Sequence, residues 1–94
     1  MSEQAHVLSK YQVEYGTSLQ LEYFDEALAM IERNPKYEDI VTYVNENNTA
    51  CELNRDALEE LAHDETVTEA LRSFAQMLLD SGDPNHDYVR VEIW

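Results

Sequence analysis

Basic side chains are scarce in this chain. Its 94 residues include six Lys and Arg against 20 Asp and Glu, which gives a formal net charge of −14 at neutral pH. Binding to nucleic acid or to anionic lipid requires a positive surface, and this composition excludes one. We therefore expect no direct contact with nucleic acid and no attachment to a membrane surface.

Cysteine is nearly absent, because Cys51 is the only one. A single thiol excludes an internal disulfide framework and a zinc site built from several thiolates. The stretch Met1-Ser2-Glu3-Gln4 has none of the basic and apolar character of a signal peptide. No apolar run approaches the length of a membrane span. The expected location is the cytoplasm.

Glycine and proline are also rare, with two of each, while 44% of the residues are apolar. This balance argues against a disordered acidic tail and predicts one folded domain over residues 1–94. A domain of this size buries only a modest core, so its stability margin is thin. A homodimer is one possible way of burying more surface.

The two ends of the chain have the alternating pattern of β-strands. Apolar and polar residues alternate over 10–15 and 19–23, with Gly16-Thr17-Ser18 between them, which predicts a hairpin. Apolar residues within 5–24 also recur at three-to-four spacing, so a helix is the alternative. We prefer the hairpin because the strand predicted over 88–94 needs pairing partners.

The middle of the chain predicts helices. One covers Asp25 to Arg33, and a second starts at Pro35, with an apolar stripe from Tyr37 to Val44. A third begins after Asn54 as N-cap, and a fourth follows a capping box that opens at Thr66 and ends near Gly82. The predicted fold class is therefore α+β: a mostly helical small domain with about four helices packed on a small antiparallel sheet, which is formed by the N-terminal hairpin and the C-terminal strand.

Motifs for catalysis or for metal binding are missing. The three histidines are scattered, and Cys51 has an acid rather than a base beside it. The stretch Asp83-Pro84-Asn85-His86-Asp87 has the spacing that opens an EF-hand calcium loop, but Tyr88 replaces its glycine and Trp94 its final carboxylate. We expect an ordinary Asx-rich turn there. The sequence predicts no cofactor, no metal and no enzymatic activity.

The acidity itself points to a function. Asp56 and Glu60 are four residues apart on a predicted helix, where like charges repel each other. A domain of this length spans about 30–35 Å, and that length of duplex DNA carries about 18–20 phosphates. We therefore predict a non-catalytic inhibitor that mimics DNA and binds a basic nucleic-acid-binding protein, as a phage or mobile-element inhibitor of restriction or CRISPR enzymes does. The predicted partner-binding carboxylates are Glu38, Asp39, Asp56, Glu59, Glu60, Asp64, Glu65 and Glu69.

Two alternatives remain at this point. In the first, the chain is an acidic adaptor that binds its partners through its six tyrosines and Trp94. Trp94 would then lie on a C-terminal edge strand that is open to pairing, so it joins the predicted partner-binding residues. In the second, the acidity serves solubility in high salt alone.

Overall fold

A computed structural model of the chain describes the backbone of residues 3–8 and 15–94 and the side chains of residues 3–8 and 19–94. This part of the chain forms five strands and three α-helices. In chain order they are β1 (Gln4–Leu8), β2 (Tyr15–Gln20), α1 (Leu21–Glu32), β3 (Val41–Val44), β4 (Ala50–Asn54), α2 (Arg55–Ala62), α3 (Glu69–Ser81) and β5 (Tyr88–Ile93). A short 3₁₀ turn, Pro35–Tyr37, precedes β3.

The five strands form one antiparallel sheet in the order β2-β1-β5-β4-β3. Val91 lies opposite Val7 on β1 and opposite Cys51 on β4, and Val89 lies opposite Leu53. Because neighbours opposite each other share a face, these residues form one apolar surface. All five are buried, so this inner face is the floor of the core.

The three helices cover that inner face. Each has buried residues at three-to-four spacing, which places them in one stripe toward the sheet. The ring centroids of Phe24 on α1 and Phe74 on α3 are 6.0 Å apart. The buried helix residues join one cluster with the inner-face strand residues, and they are Phe24, Ala27, Ile31, Leu58, Leu61, Phe74, Ala75 and Leu78.

The ends of α2 and α3 confirm two predictions and correct one. The Ala57 N–H donates to Asn54 Oδ1 at 2.8 Å, so Asn54 is the N-cap of α2 as predicted. Gly82 follows the last residue of α3, so the helix ends where it was predicted to end. A larger residue would be crowded there, because a Cβ atom would lie 3.0 Å from both Val89 methyl groups. The predicted capping box is wrong by two residues, because Thr68 caps α3 and Thr66 bonds to Asp64 instead.

The prediction of about four helices and a sheet limited to the two ends of the chain is wrong. The segment predicted as the second helix is the 3₁₀ turn followed by β3, and β3 pairs with β4. Val41-Thr42-Tyr43-Val44 consists of β-branched and aromatic residues, which favour a strand over a helix. In the loop that connects β3 to β4, Asn45 Oδ1 accepts hydrogen bonds from the N–H groups of Thr49 and Ala50. Asn48 makes the turn of this loop with a positive φ of 55°.

The ends of the chain do pair as strands, but the strand that pairs with both β2 and β5 is β1, which lies outside both strands of the predicted hairpin. The predicted turn Gly16-Thr17-Ser18 lies inside β2, and residues 21–23 begin α1. Residues 10–14 of the predicted first strand lie outside the described part. The C-terminal strand is confirmed as β5, but it lies between β1 and β4 in the centre of the sheet. The prediction that it is an edge strand is wrong, since β2 and β3 form the edges.

Candidate anionic interface

The helices and their connections present a surface rich in acid, which we call the helical face. Twelve exposed carboxylates lie on it: Glu22, Asp25, Glu26, Glu32, Glu38, Asp39, Asp56, Glu59, Glu60, Glu65, Glu69 and Asp80. Within the described residues, Glu60 alone among these twelve lies within ion-pair distance of a base, with its Oε1 3.6 Å from Lys36 Nζ. The helical face therefore keeps almost all of its negative charge.

The few basic side chains are used mainly inside the fold. The Arg55 guanidinium donates to the carbonyl oxygens of His86, at 2.7 Å, and Asp83. Arg72 Nε donates to the Val67 carbonyl at 3.2 Å, and Arg90 bonds to two carboxylates on the sheet. Arginines that bond to backbone carbonyls hold loops in place without neutralising surface acids. Of the Lys and Arg side chains that the structure describes, only Arg33 and Lys36 are exposed.

The α2 helix presents its acids as one stripe. Leu58 and Leu61 are buried, so positions 56, 59 and 60 face away from the core at three-to-four spacing. Asp56, Glu59 and Glu60 are all exposed. This 8-residue helix thus combines a short apolar stripe with three carboxylates on its opposite side.

Residues 36–40 run beside α2 and add to this stripe. Lys36 lies at the C-terminal end of α2, where its Nζ is 3.1 Å from Asp64 Oδ2. Ile40 lies at the other end, where its carbonyl accepts from the Asn54 N–H at 2.8 Å. The segment is therefore held at both ends of the helix, with exposed acids at positions 38 and 39. We call the resulting group the α2 acidic surface: Glu38, Asp39, Asp56, Glu59, Glu60 and Glu65.

Asp64 differs from the other predicted carboxylates because its side chain is only 6% exposed. It accepts from Tyr37 Oη at 2.6 Å, from the Thr66 hydroxyl at 2.5 Å and from the Thr66 N–H at 2.9 Å. These hydrogen bonds, together with Lys36, hold the pKa of Asp64 well below its usual range. Burial and the bond to Asp64 raise the pKa of Tyr37 to about 12. Asp64 thus ties the 3₁₀ turn to the α2–α3 connection.

Two predicted residues lie apart from the α2 acidic surface. Glu69 is exposed at the first position of α3. Trp94 follows β5, and its backbone exchanges two hydrogen bonds with the backbone of Gln4. Its ring stacks on the His6 ring, with the two ring centroids 3.7 Å apart. His6 lies opposite Glu92 on the outer face of the sheet. Trp94 therefore belongs to the side of the sheet away from the helices.

The segment that resembled a calcium loop is a turn, as predicted. The Asn85 N–H donates to Asp83 Oδ1 at 2.9 Å, which is an Asx turn. Asp83 Oδ2 is 3.3 Å from His86 Nε2. No group of three or more His, Cys, Asp or Glu side chains in the described ranges is arranged to hold a metal ion. Burial raises the pKa of the Cys51 thiol to about 11, which keeps it protonated near neutral pH.

A groove that the sequence did not predict lies between α1 and the strands β3 and β4. Its volume is about 350 Å³, and Leu28, Val41, Val44 and Ile93 contribute to its apolar lining. Three carboxylates, Glu3, Asp25 and Glu32, also line it. We call it the α1–β3 groove.

Comparisons with protein-family models, with curated proteins and with solved structures find no match to this chain. Among the described helices, none is long and apolar enough to cross a bilayer.

Proposed function

We propose that this protein is a non-catalytic inhibitor that binds a basic nucleic-acid-binding protein in the cytoplasm by presenting carboxylates in place of phosphates. The observation that carries the proposal is that eleven of the twelve exposed acids on the helical face have no ion-pair partner among the described residues. Arg55 and Arg72 bond to backbone carbonyls, and Arg90 bonds to carboxylates on the outer face of the sheet, so these three cations leave the acids of the helical face free for a partner. An example of this class would be an inhibitor of restriction or CRISPR enzymes that is encoded by a phage or a mobile element.

The size of the protein supports the proposal. The described part measures 34 × 28 × 22 Å. A duplex of about 34 Å carries about 20 phosphates, counting one charge per roughly 1.7 Å of axis. The helical face has twelve exposed carboxylates, which is more than half of that number. Such a surface steers a cationic partner toward itself and accelerates association.

Charge placement on α2 gives further support. Asp56 and Glu60 are four residues apart, which costs about 0.2–0.5 kcal/mol through repulsion. Glu59 and Glu60 lie in the C-terminal half of the helix, where its dipole disfavours anions. A protein gains nothing in stability from this arrangement. A cationic partner relieves the repulsion on binding, so the same arrangement favours the complex.

A capture experiment tests the proposal. The protein is immobilised, and binding partners are collected from lysate at about 50 mM and about 500 mM salt, then challenged with duplex DNA. We expect nucleic-acid-binding proteins that are lost at high salt and displaced by the duplex. Partners that the duplex does not displace would contradict mimicry of DNA, and so would capture that is independent of salt.

A matched pair of variants locates the interface. The triple variant Glu38→Gln, Asp39→Asn, Glu59→Gln removes three charges from the α2 acidic surface. The control Glu3→Gln, Glu46→Gln, Asp87→Asn removes three exposed charges that are not among the twelve carboxylates of the helical face. At about 0.5 kcal/mol for each exposed pair, the first variant should bind its captured partner roughly tenfold more weakly. Equal losses in both variants would assign the binding to net charge rather than to this surface.

A further inference from the structure

The α1–β3 groove is a concavity of about 350 Å³ with a lining that is partly apolar and partly acidic. One side is a stripe of α1 that includes Leu21, Phe24 and Leu28, which recur at three-to-four spacing. The other side is the inner face of the β3–β4 hairpin, with Val41 and Val44 from β3. The groove exists because α1 leaves the edge of the sheet at β3 incompletely covered.

The groove is open to a partner. Val44 is 49% exposed although it belongs to the apolar lining. Cavities that hold small ligands measure roughly 300–1,000 Å³, so a groove of about 350 Å³ is at the lower end of that range. It suits a few side chains from a larger molecule that lies across the surface. Exposed apolar surface rimmed by polar groups is a common mark of a protein interaction site.

The charges around the groove select the kind of partner. Glu3, Asp25 and Glu32 line it, and no described Lys, Arg or His does. Asp25 and Glu32 are exposed and form no ion pair with a described base. An apolar segment without charge would leave these carboxylates unpaired at the edge of a desolvated contact. A segment that also carries Lys or Arg would pair with them.

Two other occupants fit less well. A second copy of this chain would bring another negative groove and another net charge of −14 into contact with the first. A strand added to the free edge of β3 would meet the register shift between Val41 and Tyr43. A bulge of this kind twists an edge away from pairing.

We propose that the α1–β3 groove binds a segment of a partner protein in which apolar side chains alternate with Lys or Arg. The apolar side chains contact Leu28, Val41 and Val44, while the cations pair with Asp25 and Glu32. In this second contact salt weakens the pairs with Asp25 and Glu32, whereas it does not weaken the apolar part. The contact does not depend on mimicry of DNA by the α2 acidic surface, because the groove is a separate set of residues.

Binding of a synthetic peptide of alternating leucine and lysine tests the groove directly. We expect chemical-shift changes at the methyl groups of Leu28, Val41, Val44 and Ile93, and weaker binding when serine replaces leucine or glutamine replaces lysine in the peptide. Equal binding of the serine peptide would overturn the proposal. Shift changes confined to residues outside the groove would do so as well.

Variants of the protein separate apolar docking from simple attraction of charges. Val44→Asp adds a negative charge, which strengthens a purely electrostatic contact, but it removes apolar contact. We expect it to weaken peptide binding by about tenfold, and an unchanged or tighter complex would refute the proposal. Glu32→Gln should weaken binding by about threefold. The matched control Glu46→Gln makes the same charge change outside the groove and should have no effect on the contact itself.

Three controls concern the stability of the variants, dimer formation and the α2 acidic surface. Thermal unfolding of Val44→Asp tests whether the exposed position tolerates the change, and Glu32→Gln provides an independent measurement if it does not. Sedimentation that shows a dimer abolished by Val44→Asp would assign the groove to a second copy and overturn the proposal. The α2 triple variant should bind the peptide within about twofold of the wild type, so failure of the groove and failure of the proposed function remain distinguishable.

Discussion

The two faces of this small domain treat acidic side chains in opposite ways. On the outer face of the sheet, Arg90 lies between Glu52, at 2.8 Å, and Glu92, at 3.0 Å. On the helical face there are twelve exposed carboxylates, and Arg33 and Lys36 are the only exposed Lys or Arg side chains among the described residues. The sheet acids are partly buried and the helical ones are exposed. Arg90 is therefore placed where an unpaired carboxylate would reduce the free energy of unfolding most, whereas the exposed carboxylates of the helical face are mostly left without a cation.

The largest expected effect comes from removing the cation of the sheet. Arg90→Met leaves two carboxylates unpaired on half-buried positions of neighbouring strands. Loss of one partner from a fully buried pair costs 3–5 kcal/mol, and partial exposure reduces this to about 2–3 kcal/mol. For a domain of this size the melting temperature should fall by roughly 8–20 °C. Thermal unfolding measures the change.

Arg33→Met on the exposed helical side is the matched control for Arg90→Met. Its effect should stay within about 0.5 kcal/mol, as is usual for exposed positions without specific contacts. Combining Arg90→Met with Glu52→Gln and Glu92→Gln should restore much of the lost stability, because no buried charge then remains unpaired. Similar losses for Arg33→Met and Arg90→Met would erase the contrast between the two faces.

The second expected effect concerns Asp64, a carboxylate at the end of α2 that is buried and hydrogen-bonded to Tyr37 and Thr66. Tyr37→Phe removes its 2.6 Å hydrogen bond. Hydrogen bonds to charged groups contribute about 1.5–3 kcal/mol, so we expect a loss of about 2 kcal/mol in urea unfolding at neutral pH. Tyr23→Phe, at a half-exposed position, should change stability by less than about 0.5 kcal/mol.

The pH dependence of the Tyr37→Phe effect has a definite sign. The folded state lowers the pKa of Asp64, so its stabilising contribution is present above the unfolded pKa of about 4 and is lost as the pH falls. The folded state raises the pKa of Tyr37 to about 12, so the contribution of the neutral hydroxyl is lost as the pH rises above about 10. The stability difference between wild type and Tyr37→Phe should therefore shrink toward both extremes. A constant difference from pH about 2 to about 11 would contradict this role of the pair.

The sequence allowed the C-terminal strand and the last two helices to be predicted because their signals are local, whereas β1 lies outside both strands of the predicted hairpin. Asn54 and Gly82 mark helix ends through bonds to residues that are close in sequence. The hairpin of β3 and β4 was missed because Tyr37, Ile40, Val41 and Val44 also match helical spacing. Only pairing of β4 with the distant β5 decides in favour of strands.

For the candidate site, too, local features could be predicted from the sequence and long-range contacts could not. Exposure of the α2 acids follows from the position of its leucines, which the sequence shows. The burial of Asp64 depends on Tyr37, which is 27 residues away in the chain, and no local pattern indicates that contact. The α1–β3 groove results from the way α1 crosses the sheet. Tertiary packing of this kind carries no signal in a single sequence.

The smallest expected effect is the most specific for function. Glu59→Gln and Asp56→Asn each remove one charge from α2, but Asp56 lies in the first turn, where the helix dipole favours an acid, and Glu59 lies near the C-terminal end. We expect Glu59→Gln to raise stability by about 0.5 kcal/mol and Asp56→Asn to leave it unchanged or lower it. Both should weaken binding of the captured basic partner. If Glu59→Gln raised stability without weakening that binding, Glu59 would have no role in the contact. A gain in stability together with weaker binding would show that this carboxylate serves the partner rather than the fold.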